Sequence, residues 1–161
     1  MPDFEEILHK EFRWPRKGDK AFSAPAEAGS GAQFQSHAFP RLVFMMEGYH
    51  KAADLLVEAA LESDDVRDLL VYPILHSYRH FLELSLKYMI AVYGRSVGIS
   101  PRWKTHNLTV LWSDFRKVRK GFGVNPGEEA DADVKDIVAQ FAKIDPGSFS
   151  YRYPVDTSGK K

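Results

Sequence analysis

The sequence predicts an all-α fold: an antiparallel bundle of about four main helices, with a short N-terminal helix and an extended C-terminal strap. Apolar residues recur at helical spacing through four long segments. Glycine and proline cluster between those segments. No internal repeat and no hairpin signature interrupts the pattern.

In chain order, residues 3–13 (DFEEILHKEFR) place Phe4, Ile7, Leu8 and Phe12 on one side of a short helix. Residues 14–38 hold Pro15, Gly18, Pro25, Gly29 and Gly31 among Ala and Ser, the composition of a loop or disordered segment. The folded body is expected to start at Pro40, a residue suited to a first helical turn. This divides the chain into a short helix and flexible loop (1–39), a helical bundle (40–156) and a mobile tail (157–161).

The first long helix then carries Leu42, Met45, Met46, Tyr49, Ala53, Leu56, Val57 and Ala60 at helical spacing. Ser63, Asp64 and Asp65 stop it and cap the next, which runs from about Val66 to Tyr93. Pro73 either kinks that helix or marks its true start. Gly94, Gly98 and Pro101 break the chain. A third helix spans about Asn107 to Lys120, capped by Thr105 or Asn107, and a fourth about Glu128 to Lys143. Asp145-Pro146-Gly147 turns the chain into SFSYRYP. As an extended strap, that run would put Ser148, Ser150 and Arg152 on one side and its aromatics on the other.

A chain of 161 residues with 44% hydrophobic and 13% aromatic content suits one globular domain. Its 22 basic and 22 acidic residues balance, so any nucleic-acid surface must be a local patch. The absence of cysteine excludes disulfides, thiolate catalysis and cysteine-ligated zinc. Asp3, Glu5 and Glu6 argue against a secretory signal, and no apolar run reaches the roughly 20 residues of a membrane span. A cytoplasmic protein without membrane contact is the expectation.

The helix around His76 to Lys87 is the most informative stretch. With His76 at zero, His80 falls near 40°, Glu83 near 340°, Lys87 near 20° and Arg79 near 300°, about a third of the circumference. Apolar side chains cover most of the rest, so this reads as a central helix with a narrow ionisable seam. Burying lone charges is costly. The seam must therefore face a cleft, a subunit interface or paired partners. His76, His80 and Glu83 have metal-ligand spacing, but Arg79 and Lys87 share their face and repel a cation, so no metal and no cofactor is expected. Arg79–Glu83 and Glu83–Lys87 are both i, i+4 pairs, which offers a purely structural reading of the seam.

His106 opens the third helix, where the positive end of the helix dipole favours a neutral imidazole that could act as donor or base. Arg152, flanked by Tyr151 and Tyr153, could meet an anion or reach Glu83 across a cleft. Arg102 in RWKTH, with Arg116, Lys117, Arg119 and Lys120, adds local positive charge that could meet phosphate; a solvated helix end explains it equally well.

FLELSLKYMI resembles the E-x-x-L-K helix of HEPN-domain proteins, THNLTVLW resembles their later H-D/N-L-x-x-L segment, and FSYRYPVD resembles a strap of some bacterial HEPN-like proteins. The resemblance covers about residues 40–156. It implies a small helical bundle, often a homodimer, binding or acting on RNA or a nucleotide. Many members are ribonucleases in toxin–antitoxin, phage-defence or RNA-processing systems, so an antitoxin protein is an implied partner. Catalytic members carry an Arg and a His separated by four to six residues. This chain departs from that spacing: Arg102 and His106 are separated by three residues, Arg67 and His76 by eight, and Arg79 abuts His80.

RNA cleavage needs a base, an acid and a cation on the phosphate. The residues available for catalysis are Arg79, His80, Glu83 and His106, with Lys87, Arg102, Arg152 and Tyr153 for substrate binding. The leading expectation is a HEPN-like RNA- or nucleotide-binding protein, with a ribonuclease toxin or phage-defence component as its catalytic form. The alternative is a non-catalytic helical dimerisation or interaction module.

Overall fold

The structure is a computed structural model that describes residues 16–18, 34–124, 129–154 and 158. The chain divides into two units, Met1–Phe34 and Gln35–Lys161, and every described helix belongs to the second. The expected helix over 3–13 lies outside the described residues, as do most of the loop 14–38 and most of the tail.

The second unit is an all-α bundle: α1 Ala38–Ala60, α2 Asp64–Tyr93, α3 Leu108–Gly121 and α4 Glu129–Ile144, with a 3₁₀ turn at Gly94–Val97. No strand occurs among the described residues. Helix α1 starts at Ala38, so Pro40 sits inside its first turn, where the missing N–H costs nothing. Ser63 caps α2 by accepting the Val66 N–H at 3.2 Å, and Asp64 and Asp65 place negative charge on its first turn. Helix α2 therefore begins before Pro73 and continues through it. Pro73 withholds a donor from the Leu69 carbonyl, on a stretch where Leu69 is 75% exposed and water can substitute.

The short link Leu61–Ser63 folds α1 back along α2 as an antiparallel hairpin. Tyr78 donates to Asp54 at 2.8 Å, and Tyr49 and His50 set their rings against His80 and Phe81. The main core lies at the other end of α2. There Leu86 and Ile90 pack with Leu108, Leu111, Trp112 and Val118 of α3 and Val138 of α4. Gly94 lets the chain turn there, because a Cβ on it would strike the Ile99 carbonyl. Asn107 caps α3 by accepting the Val110 N–H at 3.1 Å, while the Thr105 hydroxyl holds the Asn107 N–H.

The C-terminal segment corrects the strand alternation. After α4 the backbone coils: Arg152 and Tyr153 N–H both donate to the Phe149 carbonyl, and Ser148 has φ +60°. Asp145 is the cause. Its Oδ1 accepts the Phe149 and Ser150 N–H groups at 2.6 and 3.0 Å, which winds the chain around the carboxylate. The aromatics still pack. Tyr151 meets Phe141 edge-on and Phe149 stacks on Tyr153.

Candidate functional site

The ionisable seam of α2 splits between two neighbourhoods. Arg79, Glu83 and Lys87 point toward the loop before α3 and the turn after α4; all three are buried. Arg79 Nη1 donates to Glu83 Oε2 at 3.0 Å, Nη2 to the His106 carbonyl at 2.6 Å and Nε to the Asp145 carbonyl at 3.1 Å. Lys87 donates to Glu83 Oε1 at 2.8 Å and to the Trp103 carbonyl at 3.0 Å. Two cations thus face the two carboxylates of Glu83 and Asp145, and the network is electrically balanced. Burial pushes the Glu83 carboxyl up, but hydrogen bonds from Lys87 and Arg79 and the nearby His106 outweigh it and hold it below the ordinary range.

His106 closes this network at the surface. Its Nδ1 lies 2.9 Å from Glu83 Oε1, and its side chain is half exposed. With the proton on Nδ1 and donated to Glu83, Nε2 is left as an acceptor. A buried carboxylate orienting a half-exposed imidazole is a base–orienter arrangement of the kind acid–base catalysis uses.

His76 and His80 occupy the second neighbourhood, against α1. Their rings stack at 5.8 Å, and Tyr49 meets both edge-on. Neither Nδ1 has a hydrogen-bond partner. Burial lowers the pKa of both, and for His76 the Arg152 and Arg79 charges add to it. Their surroundings therefore favour the neutral form of both rings. Among the described residues no group of three or more ligating side chains could hold a metal ion.

Of the proposed catalytic residues, Arg79, Glu83 and His106 come together, and His80 lies beside them in the second cluster. The proposed substrate-binding residues scatter. Lys87 is consumed inside the network. Arg102 is paired with Asp114 at 2.8 Å, 60% exposed. Arg152 does not reach Glu83 or His106 by hydrogen bond or ion pair; its guanidinium folds back onto the Ser148 carbonyl and lies over the Tyr153 ring. The coiled turn sends it there.

Sequence reasoning missed Asp145 and Asp114. Both carried a signal. A carboxylate at a helix C-terminus opposes the dipole, so Asp145 needs a compensating cation, which Arg79 supplies. Asp114 sits at the edge of the apolar stripe of α3 and is 4% exposed, paired with Arg102 and Lys117.

The fold and site define an all-α bundle around a neutralised buried charge network. No family model, curated protein or solved structure matches the chain. No described helix is long and apolar enough to cross a membrane.

Proposed function

We propose that this chain is a self-associating helical module, pairing with a second copy through α1, and that its buried charges hold the fold rather than perform chemistry. The burial of Arg79 and Lys87 carries the second half of this reading: Arg79 makes three hydrogen bonds and Lys87 two, all to carboxylate or carbonyl oxygens, and both side chains are closed to solvent, leaving no cation of that seam for a phosphate.

The first half rests on α1. Leu42, Met46, Tyr49, Ala53, Leu56 and Ala60 alternate in steps of four and three toward α2. One residue earlier, Arg41, Met45, Gly48, Ala52, Leu55 and Ala59 repeat the same steps on a second face, where Arg41, Met45, Gly48 and Leu55 are exposed and Ala52 and Ala59 half-buried. Met45 and Leu55 are 41% and 50% exposed there, and a Cβ on Gly48 would meet nothing. An antiparallel copy with its two-fold axis at Ala52 sets Leu55 into the Gly48 gap, Met45 against Ala59 and Arg41 beside Glu62. Large residues meet small ones and opposite charges meet at both ends. Light scattering at micromolar concentration tests it: the expected mass is twice 18.3 kDa, and the mass of one chain refutes it.

The His106–Glu83 pair favours a second reading, the HEPN-like RNA- or nucleotide-binding protein with ribonuclease activity in a toxin–antitoxin or defence setting. Cleavage of single-stranded RNA that disappears in His106→Ala would support it over a non-catalytic module.

A further inference from the structure

Between α3 and α4 lies a cavity of about 430 Å³ that neither the charge network nor the α1 face uses. Trp112, Arg116 and Lys120 line it from successive turns of α3, with Ser113 beside them and Lys135 opposite on α4. Arg119 and Asp131 form an ion pair that ties the two helices together at the cavity wall. Lys135 is one helical turn beyond Asp131 and so shares its face of α4, turned toward α3.

Among the described residues, the charges around this cavity are unbalanced. Arg119 is satisfied by Asp131, and Lys117 by Asp114 at 2.8 Å. Arg116, Lys120 and Lys135 have no ion pair with a described residue, and Asp131, the only acid among the described lining residues, is already engaged. Like charges gathered around one concavity repel each other and raise the local concentration of anions. Trp112, 7% exposed and packed in the core, supplies apolar surface to the lining. The volume falls within the range of small-molecule sites, and the aliphatic stems of the Lys and Arg side chains join Trp112 in an apolar wall.

We infer that this cavity binds a small phosphorylated organic molecule. Its phosphate would sit among Arg116, Lys120 and Lys135, and a flat apolar group would lie along Trp112. A dianion matches three convergent cations better than a carboxylate does, and the planar guanidinium of Arg116 can hold two phosphate oxygens at once.

Isothermal titration of the full chain with phenyl phosphate, inorganic phosphate and phenol tests this. Phenyl phosphate should bind at least tenfold more tightly than either fragment, because it alone meets both the cations and the apolar wall. Arg116→Gln and Lys135→Gln, both exposed and outside the core, should each weaken it by roughly tenfold while circular dichroism and melting temperature stay unchanged. Raising salt should weaken it as well. Equal affinity for phenyl phosphate and inorganic phosphate would reduce the site to an unspecific basic patch and overturn the proposal. So would binding unaffected by both substitutions, or binding of a single-stranded oligonucleotide with none of phenyl phosphate.

Discussion

Arg79 and Asp145 lie 66 residues apart in sequence and meet in the buried centre of the molecule. The Arg79 Nε–H points at the Asp145 carbonyl oxygen, 3.1 Å away. Asp145 Oδ2 is also 3.1 Å from that nitrogen but accepts no directed hydrogen bond, so the carboxylate contributes charge there and spends Oδ1 on the turn. One residue therefore both neutralises the central arginine and winds the C-terminal segment. Asp145→Ala should strand a buried guanidinium and unwind the turn, at a cost of about 3–5 kcal/mol. Asp145→Asn keeps the Oδ1 acceptor and should cost less. Urea denaturation of the two variants checks the order; equal and small losses would show that the pair is not what holds this end of α4.

Glu83 makes a matching demand from the other side. It touches Arg79, Lys87 and His106 at once. Glu83→Ala should leave two buried cations facing each other and cost about as much as losing Asp145. A double variant of Glu83 and Lys87 to similarly sized apolar residues removes one cation with the carboxylate and should recover part of the loss. A double variant no more stable than Glu83→Ala alone would count against the electrostatic account.

The helices and the i, i+4 pairing of Arg79, Glu83 and Lys87 were legible in the sequence because both follow from the helical period. The partners across the fold were not. The carbonyls of Trp103, His106 and Asp145 that accept from the cations are backbone groups, which no side-chain pattern reveals. The strap misled for a related reason. Ser148, Ser150 and Arg152 alternate with aromatics as a strand would, but Asp145 offers two N–H groups a closer acceptor and the chain coils before a strand can form. Arg152 is consequently drawn onto Ser148 instead of Glu83.

Acid should loosen the α1–α2 hairpin before it reaches the carboxylates. His76 and His80 have folded pKa values below those of the unfolded chain. Their neutral forms therefore favour folding above about pH 6.5, and that contribution is lost as the pH falls from there toward the folded values. Around His80, Glu83 opposes the shift, while His76, Lys87 and Arg79 reinforce burial; around His76, Asp145 and Glu83 oppose it. The Glu83 contribution persists to lower pH and is lost only as the pH falls through its own depressed value. Urea midpoints at pH 7.5 and 5.5 should differ, with the acidic sample less stable. In His76→Gln/His80→Gln the difference should shrink; an unchanged difference would place the titrating groups elsewhere.

Arg152→Lys should be nearly silent for folding, because Arg152 is exposed and its guanidinium donates to the Ser148 carbonyl, an acceptor a lysine ammonium can also use. Truncation after Pro146 should not be silent. It removes Phe149 and Tyr151 and takes both N–H donors away from Asp145 Oδ1. A lower melting temperature for the truncated chain and an unchanged one for Arg152→Lys is the expected pair of results.

The α1 pairing makes a charge-swap demand that no monomer can mimic. In the antiparallel arrangement Arg41 of each copy faces Glu62 of the other, so the contact occurs twice about the two-fold axis. Arg41→Glu alone sets like charges together at both ends, and Glu62→Arg alone does the same with the opposite sign. Each should weaken self-association, by roughly five- to thirtyfold if each of the two repulsions costs about 0.5–1 kcal/mol in this partly exposed setting. The double swap restores opposite charges and should recover most of the affinity. Arg41 and Glu62 are both exposed within one chain, so neither substitution should alter its melting temperature when dilute. Gly48→Leu fills the gap that receives Leu55 and should abolish the pairing more completely than either charge change. Sedimentation equilibrium across this set decides the matter. If both single swaps weaken association and the double swap does not restore it, the copies meet in a different register. If none of them matters, α1 is not the interface.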